Sequence, residues 1–366
     1  MTDLLYVSAV GATVAIDLSA LDPDDAEAVR HVWADAVAGA VDDPAAIVVP
    51  RDSGRIRMLQ SLSRQVTRVA IDARRADLWM IHAAGIATSA GDVLALVGPS
   101  GRGKTTASRQ LARGYGYVSD ETVGIARDGR VFAYRKPLSV IEEPRAPKVE
   151  QRPSSLGLGT IPADLRLRAI VLLNREAEHD GPPVLTAIDL ADALDGLVTQ
   201  SSHLAERPDS LRLIAAVAEA TGGIRAVRYR EASDLMGIVP QLLSSPIAIP
   251  SIAPPTTRDP GTADDSREEP RFFRAACVDE LELVGSDRIA VLTADAAGRG
   301  TVRVLDGIAP TLWAAASGVP LEALVAAATA AHGAPDGADA TGLVRASVER
   351  LVTEGLLRVA PTAAPT

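Results

Sequence analysis

The residues from 98 to 105 have the types and the spacing for phosphate chemistry. They read G-P-S-G-R-G-K-T and match the phosphate-binding pattern G-x-x-x-x-G-K-[ST]. In such a loop the glycines let successive backbone N–H groups turn toward a phosphate, and the next helix adds its unpaired N–H groups. Lys104 is expected to reach the β- and γ-phosphates of ATP, and the Thr105 hydroxyl to ligate Mg²⁺. The predicted nucleotide-binding residues are Gly98, Pro99, Ser100, Gly101, Arg102, Gly103, Lys104, Thr105 and Thr106.

A pair of carboxylates, Asp120 and Glu121, follows the short apolar segment 117–119. Phosphoryl transfer needs positioning, charge neutralisation and a group that accepts the proton of the attacking hydroxyl. Asp120 suits the role of this base, so that Asp120 and Lys104 are the predicted catalytic residues. Glu121 suits the binding of Mg²⁺ together with Thr105. A solvated acidic turn is the alternative interpretation, and the nearby phosphate pattern favours the catalytic one.

The elements around the loop are those that such a site requires. The apolar run 92–97 predicts a strand that leads into the loop, and residues 105–113 predict a helix that leaves it. The segment 117–119 predicts a strand that can run beside the loop strand and end at the same edge. Its carboxylates would then lie near the γ-phosphate.

Three further residues are candidates for contact with the substrate or with phosphate. His82 is predicted to open the strand before the loop. Arg135 and Lys136 follow a hairpin signal, Asp128-Gly129. A structural histidine and a plain basic turn are the alternatives. The other histidines show no metal-ligand spacing.

The amino-terminal residues 1–77 predict strand structure over residues 4–18, around Gly11, followed by two helices. The first helix begins with Asp22-Pro23, a capping residue followed by proline. The second runs through residues 59–73 with apolar residues at the helical period. We interpret the other face of this helix, which carries arginines, as a solvated basic face; those arginines are Arg64, Arg68, Arg74 and Arg75.

The chain is predicted to contain two domains joined by a linker. Residues 1–245 form the first domain, an α/β domain in which 1–77 are an amino-terminal extension. Residues 246–270 are rich in proline and polar residues and cannot bury enough apolar surface to order themselves. Residues 271–362 predict three short strands, three helices and a final strand, which is the pattern of a small α+β winged-helix-like domain.

The composition narrows the class of protein. Of the 366 residues 47% are hydrophobic and 23% charged, which is ordinary for a globular chain with room for two domains. The net charge of −10 and the 3% of aromatic residues argue against nucleic acid or an anionic membrane as a partner. No apolar run approaches the ~20 residues of a membrane span, and the first residues lack a signal-peptide pattern. The single cysteine, Cys277, excludes a disulfide within the chain. We therefore expect a cytoplasmic protein, and a homo-oligomer remains open.

The absence of two motifs argues against other classes of nucleotide-binding protein. The chain has no L-S-G-G-Q-type signature of transport ATPases, and Asn174-Arg-Glu176 is not the N-K-x-D with which GTPases read guanine. No apolar run ends in an aspartate that would form a separate metal-binding strand.

The order of three motifs resembles the HPr kinase/phosphorylase family. These motifs are His82-Ala-Ala, the loop at 98–105 and Ser119-Asp120-Glu121. The resemblance implies a P-loop HPr-kinase-like fold related to phosphoenolpyruvate carboxykinase, the cofactors ATP and Mg²⁺, and phosphorylation of a serine hydroxyl. By position, Asp120 matches the family's first aspartate, the general base, and Glu121 replaces the second. The family's signature for its protein substrate is not recognisable, so HPr itself is not the expected acceptor.

Residues from about 271 to 359 resemble PqqD-like peptide-binding domains. The similar segments are 301–313, 319–324 and 348–357. Such domains bind leader peptides of ribosomally made natural products by adding a peptide strand to a small sheet. A winged-helix DNA reader is the structural rival, but no basic recognition helix is present.

Together the two resemblances predict an ATP-dependent kinase that phosphorylates a Ser or Thr hydroxyl of a precursor peptide or small protein. The carboxyl-terminal domain would bind that peptide and raise its local concentration. Two alternatives remain open: a nucleotide-gated peptide-binding scaffold without kinase chemistry, and a small-molecule kinase.

Overall fold

The computed structural model describes residues 3–51, 54–99, 101–141, 147–244, 248–255, 269–334 and 339–360 of the chain. Its contacts divide the chain into two units. The first unit comprises Met1–Glu206 and Leu213–Ile252, and the second comprises Arg207–Arg212 and Ala253–Thr366. Both units contain strands and helices, so the described chain has a mixed α/β fold. Ser100 and most of the predicted linker, residues 256–268, lie outside the described residues.

The strands of the first unit are β1 (Leu4–Ala9), β2 (Ala12–Asp17), β3 (Ile47–Val48), β4 (Leu78–Ile81), β5 (Ala83–Ala87), β6 (Asp92–Val97), β7 (Gly116–Ser119), β8 (Val123–Ala126), β9 (Val131–Phe132), β10 (Leu138–Val140), β11 (Val149–Gln151), β12 (Arg166–Arg175), β13 (Val184–Ile188), β14 (Ser201–Ser202) and β15 (Ile224–Tyr229). The helices that begin before residue 245 are α1 (Pro23–Trp33), α2 (Arg55–Arg74), α3 (Lys104–Leu111), α4 (Leu190–Thr199), α5 (Ser210–Ala220) and α6 (Val239–Leu243). Short 3₁₀ turns connect several of these elements.

A six-stranded sheet in the order β13-β15-β12-β6-β5-β7 is the centre of the first unit. β15, β12 and β6 run parallel, whereas β5 is antiparallel to both of its neighbours, β6 and β7. We expected β7 beside the loop strand, but β5 lies between them. β7 nevertheless runs in the same direction as β6, because both strands are antiparallel to β5. The expectation that both strands end at one edge is confirmed.

Smaller sheets complete the first unit. They are β14-β4-β8-β9, β1-β2-β3 and the pair β10-β11. The hairpin predicted at Asp128-Gly129 joins β8 to β9, and Gly129 has the positive φ of +82° that such a turn favours.

The two predicted amino-terminal helices are present. The Asp22 carboxylate accepts a hydrogen bond from the Asp25 N–H at 2.9 Å, and Pro23 occupies the first turn of α1. The longer helix α2 buries an apolar face that includes Leu62 and Val66. This face packs with the first strands into one hydrophobic core, while the six-stranded sheet packs with α3 into another. α2 is thereby fixed within the first unit.

The basic face of α2 is only partly solvated. The Arg74 guanidinium donates a hydrogen bond to the carbonyl of Gly11 at 2.6 Å and lies 4.9 Å from the centre of the Phe132 ring. The expectation of a purely solvated face was therefore wrong for Arg74, because the Phe132 ring and the Gly11 carbonyl lie within its reach.

In the residues that the structure describes, the second unit has two three-stranded antiparallel sheets and three helices that share a core. Its strands are β16 (Arg271–Arg274), β17 (Asp279–Glu282), β18 (Ile289–Ala294), β19 (Gly300–Leu305), β20 (Ser317–Val319) and β21 (Leu357–Ala360), and its helices are α7 (Ala309–Ala315), α8 (Leu321–His332) and α9 (Ala340–Thr353). The predicted order of three strands, three helices and a final strand is present. β16 and β20, which pair with each other, were not predicted. Among the described residues, no helix combines the length and the apolar character that crossing a membrane requires.

Candidate active site

Three strand ends meet at one edge of the six-stranded sheet. Ala83 of β5 lies opposite Val97 of β6, and Gly85 of β5 lies opposite Ser119 of β7. The segments that precede β5 and follow β6 and β7 therefore meet at this edge. The residues that adjoin these strands there are His82, Gly98 and Asp120.

The loop after β6 has a geometry that glycine makes accessible. Gly101 and Gly103 have φ values of +82° and +89°, which other residues adopt only with strain. Lys104, the first residue of α3, is 6% exposed and donates hydrogen bonds from Nζ to the carbonyls of Gly98, at 2.5 Å, and Pro99, at 3.2 Å. The lysine therefore folds back over its own loop, as a lysine that serves a phosphate in the loop must do.

The end of β15 supports the same loop. The Tyr229 hydroxyl donates a hydrogen bond to the Arg102 carbonyl at 3.3 Å. A Cβ atom at Gly103 would lie 3.3 Å from this hydroxyl oxygen, so both the backbone angle and the close contact favour glycine there. The loop is thus held by a strand from a distant part of the sequence.

The carboxylates that follow β7 are held by named partners. Asp120 Oδ1 accepts a hydrogen bond from the Tyr117 hydroxyl at 2.9 Å. The Ser119 hydroxyl accepts the backbone N–H of Glu121 at 3.1 Å, which fixes the turn. Lys136 Nζ lies 3.6 Å from Asp120 Oδ1 and 3.2 Å from Glu121 Oε2. One buried ammonium thus bridges the two carboxylates.

Burial and charge shift the pKa values of this cluster. Burial lowers the pKa of Lys136, but the carboxylates of Asp120 and Glu121 outweigh it and hold the pKa above its ordinary value. Burial raises the pKa of Tyr117 strongly, and the Asp120 carboxylate adds to the effect. Burial lowers the pKa of Lys104, with Asp120 acting in the opposite direction. Tyr117 therefore stays a hydrogen-bond donor, and Lys136 stays a cation.

A cavity of about 590 Å³ brings the loop and the carboxylates together. We name its first side the loop wall, formed by His82, Gly101, Gly103, Lys104, Thr105, Thr106, Asp120, Glu121 and Lys136. Every residue of the loop wall was a sequence-predicted site residue. Gly98, Pro99 and Arg102 belong to the loop but do not line the cavity, and Ser100 lies outside the described residues.

The remaining lining residues, which we name the helix wall, are Gln60, Ser63, Arg64, Ser139, Lys148 and Glu150. Hydrogen bonds join α2 to β11 and the residue before it. Gln60 Nε2 donates to the Lys148 carbonyl at 2.7 Å, and the Ser63 hydroxyl donates to Glu150 Oε2 at 3.4 Å. The Ser139 hydroxyl donates to the other oxygen of Glu150 in a short hydrogen bond.

The sequence did not reveal the helix wall. Of its residues, only Arg64 has a position in the sequence predictions, as part of the solvated face of α2. Its polar residues lie on a helix and on strands of three residues, and no motif marks them. The polar positions 60, 63 and 64 on one face of an otherwise apolar-patterned helix were the available signal.

Two other predicted residues occupy positions different from those expected. Arg135 does not line the cavity, and its Nη1 donates to the carbonyls of Tyr117, at 2.7 Å, and Gly159, at 2.9 Å. Its side chain is 12% exposed and bridges backbone segments, so the geometry gives it a structural position. His82 lies between β4 and β5 instead of opening one strand, and its N–H donates to the Gln200 carbonyl at 2.6 Å. Burial and the charge of Lys104 lower the pKa of His82.

The residues present fit a bound Mg²⁺. The Thr105 hydroxyl and the Glu121 carboxylate line the same cavity, and both offer the oxygen ligands that this ion takes. Within the described part of the chain, no group of three or more histidine, cysteine, aspartate or glutamate residues could hold a metal by itself. A site with few protein ligands suits Mg²⁺ that is shared with substrate phosphates.

Comparison with known proteins adds little to this geometry. No protein-family model matches the chain, and no curated protein matches it. Among solved structures, the Hpr(Ser) kinase/phosphatase from Coxiella burnetii is similar over 45% of this chain and 93% of its own, with 11% identity and a TM-score of 0.24. A likeness of this size carries no argument, so the functional conclusion rests on the cavity.

Proposed function

We propose that this protein is an ATP-dependent phosphotransferase that moves the γ-phosphoryl group of ATP to a hydroxyl. One observation carries the proposal: Lys104, Thr105 and the carboxylates Asp120 and Glu121 line a single cavity. A phosphate-binding loop alone would support nucleotide binding. The carboxylates at the same strand edge add the groups that transfer requires.

Each residue has one task in the proposed reaction. Lys104 and the loop N–H groups hold the β- and γ-phosphates, and Thr105 and Glu121 hold Mg²⁺, which supplies neutralisation of the phosphate charge. Asp120 takes the proton of the acceptor hydroxyl as its oxygen bonds to the γ-phosphorus. The bond from the γ-phosphorus to the bridging oxygen breaks, and ADP leaves with that electron pair. The hydrogen bond from Tyr117 and the ion pair with Lys136 fix the Asp120 carboxylate in place.

We further propose that the acceptor is a Ser or Thr hydroxyl of a precursor peptide or small protein that the second unit binds. The support is the arrangement of β17-β18-β19, in which β19 is an edge strand that could accept a peptide strand. A tethered binding unit would let weak contacts at the cavity suffice for catalysis.

The test incubates the purified protein with ATP, Mg²⁺ and peptides encoded beside its gene, followed by intact mass. We expect one peptide to gain one phosphate, about 80 Da. Asp120→Asn should reduce the rate by about 10²–10⁴-fold, because it removes the base. Asp180→Asn, an exposed carboxylate outside the cavity, is the matched control and should react at the wild-type rate.

Two results would contradict the proposal in different ways. Full activity of Asp120→Asn would remove the base assignment. Tight ATP binding without transfer to any peptide or small molecule would favour a nucleotide-gated scaffold.

A further inference from the structure

Two cations of the helix wall have no carboxylate partner among the described residues. Arg64 and Lys148 both line the cavity and are exposed toward it. The other two cations of the cavity are engaged: Lys104 by the loop carbonyls, and Lys136 by Asp120 and Glu121. Among the described lining residues, Arg64 and Lys148 are therefore the cations whose charged groups have no protein partner and no role at the nucleotide.

The packing of α2 on β11 brings these two cations into the lining of the same cavity. Gln60 and Arg64 are four residues apart on α2 and so lie on one face of the helix. Gln60 binds the carbonyl of Lys148, and Ser63 binds Glu150, two residues further along. These two hydrogen bonds fix the position of α2 along β11, and in this position Arg64 and Lys148 line the same cavity.

Glu150 is the only carboxylate among the described residues of this wall, and no ion pair joins it to Arg64 or Lys148 there. Burial raises the pKa of Glu150, which disfavours its charged form. Its two oxygens already accept hydrogen bonds from Ser139 and Ser63. Among the described lining residues there are four cations, Arg64, Lys104, Lys136 and Lys148, and three carboxylates, Asp120, Glu121 and Glu150. The cavity therefore has a small excess of positive charge in a chain whose net charge is −10.

We propose that Arg64 and Lys148 form a subsite for an anionic group, a carboxylate or a phosphate, on the acceptor molecule. This proposal rests on the proposed phosphotransferase function and names the class of its substrate: a hydroxyl compound or peptide with negative charge beside the hydroxyl. Lys104 and the loop N–H groups serve the nucleotide phosphates from the loop wall. The two cations of the helix wall bind the acceptor's anionic group, and its hydroxyl faces Asp120.

The first experiment needs no knowledge of the acceptor. The protein is saturated with Mg²⁺ and a non-hydrolysable ATP analogue, so that the γ-phosphate position is filled, and inorganic phosphate or succinate is titrated by calorimetry. We expect the wild type to bind at least one of the two anions. Arg64→Gln with Lys148→Gln should weaken this binding at least about tenfold, since charge-assisted hydrogen bonds are lost. Arg57→Gln, an exposed arginine of the same helix outside the cavity, should leave it unchanged.

The second experiment asks which acceptor the subsite selects. Serine peptides that differ only in a neighbouring glutamate, phosphoserine or glutamine are compared by kcat/KM. We expect at least about a tenfold preference for an acidic neighbour, which the double variant loses. The glutamate and phosphoserine arms separate a carboxylate from a phosphate as the natural group.

The outcomes separate this inference from the proposed function. Failure of the wild type to bind the ATP analogue would overturn the phosphotransferase, while the anion titration would still decide the subsite. Loss of analogue binding in the double variant would assign the cations to the nucleotide and overturn the subsite. Anion binding that is absent in the wild type, or equal in wild type and double variant, would also overturn it.

Discussion

The two walls of the cavity are built in different ways. The loop wall comes from strand ends and turns between residues 82 and 136, and a recognisable motif marks its centre. In the helix wall, side chains of α2 bind β11 and the residue before it. Gln60 and Lys148 are 88 positions apart in the sequence, and Ser63 and Glu150 are 87 positions apart. The loop wall carries groups that any phosphoryl transfer needs. The helix wall carries groups that would choose the acceptor.

This difference has a physical origin. Backbone N–H groups and glycine angles can be specified by a few adjacent residues, so a phosphate site has a local signature. A side-chain subsite depends only on which surfaces tertiary packing brings together. We therefore expect the two walls to respond separately to substitution.

The largest expected effect tests the loop wall. Lys104→Met should lower the rate of phosphate transfer by about 10³-fold, because a cation next to the transferred group is lost. The measurement is single-turnover transfer, with circular dichroism to verify the fold. An equal loss in Arg64→Gln, measured with an acceptor that carries no anionic group, would mean that the walls do not divide their tasks.

The next effect concerns stability. Lys136→Met leaves the Asp120 and Glu121 carboxylates without their buried cation and should lower the free energy of unfolding by about 3 kcal/mol. Urea denaturation measures it. Lys148→Met on the helix wall is the control, and since Lys148 is exposed the expected change is below about 0.5 kcal/mol. Similar losses in both variants would contradict the ion-pair assignment.

A smaller effect tests how α2 is attached. The Thr67 hydroxyl and the buried Tyr134 hydroxyl are 2.8 Å apart, and Thr67 also donates to the Ser63 carbonyl at 2.8 Å. Thr67→Val orphans the buried tyrosine hydroxyl and should cost about 2 kcal/mol, whereas Tyr134→Phe should cost about 1 kcal/mol. Urea denaturation of both variants and of the double variant measures the coupling. Additive losses would show that the two hydroxyls do not interact.

The smallest effect is a dependence on pH. Burial raises the pKa of Glu150 above its ordinary value of 4.5. Since the folded state then binds the proton more tightly than the unfolded state, the stability that Glu150 contributes is greatest at low pH and declines as pH rises from about 4.5 through the folded-state pKa. The free energy of unfolding of the wild type relative to Glu150→Gln should fall over that interval in a urea series between pH 4 and 8. A rise, or the same slope in the exposed control Glu178→Gln, would contradict the assignment.

The sequence predicted those helices and strands that have a regular apolar spacing or are bounded by glycine. β6, α3, β7 and the hairpin at Gly129 appear close to the expected positions, as do the strands and helices of the second unit. In each case glycines or a regular apolar spacing marked the element.

The remaining features depend on contacts between distant residues. β10 and β11 have three residues each, too few to show a period, and they exist because they pair with each other. β5 pairs with both β6 and β7 and so lies between them. Which strands pair cannot be predicted from the sequence of one strand alone. Arg135 was a candidate for contact with substrate or phosphate, with a plain basic turn as the alternative. Its position depends on the Gly159 carbonyl, 24 residues away in the sequence.

The antiparallel position of β5 also bears on the order in which the protein folds. β5 and β6 form a hairpin of neighbouring segments, and β7 adds to its free edge after one short helix. Contacts of such low sequence separation close small loops and tend to form early. The joining of α2 to β11 must close a loop of 88 positions, so it would come late and open first. In native-state hydrogen exchange, the amides of α2 and β11 should then exchange through an opening of lower free energy than those of β5 and β6.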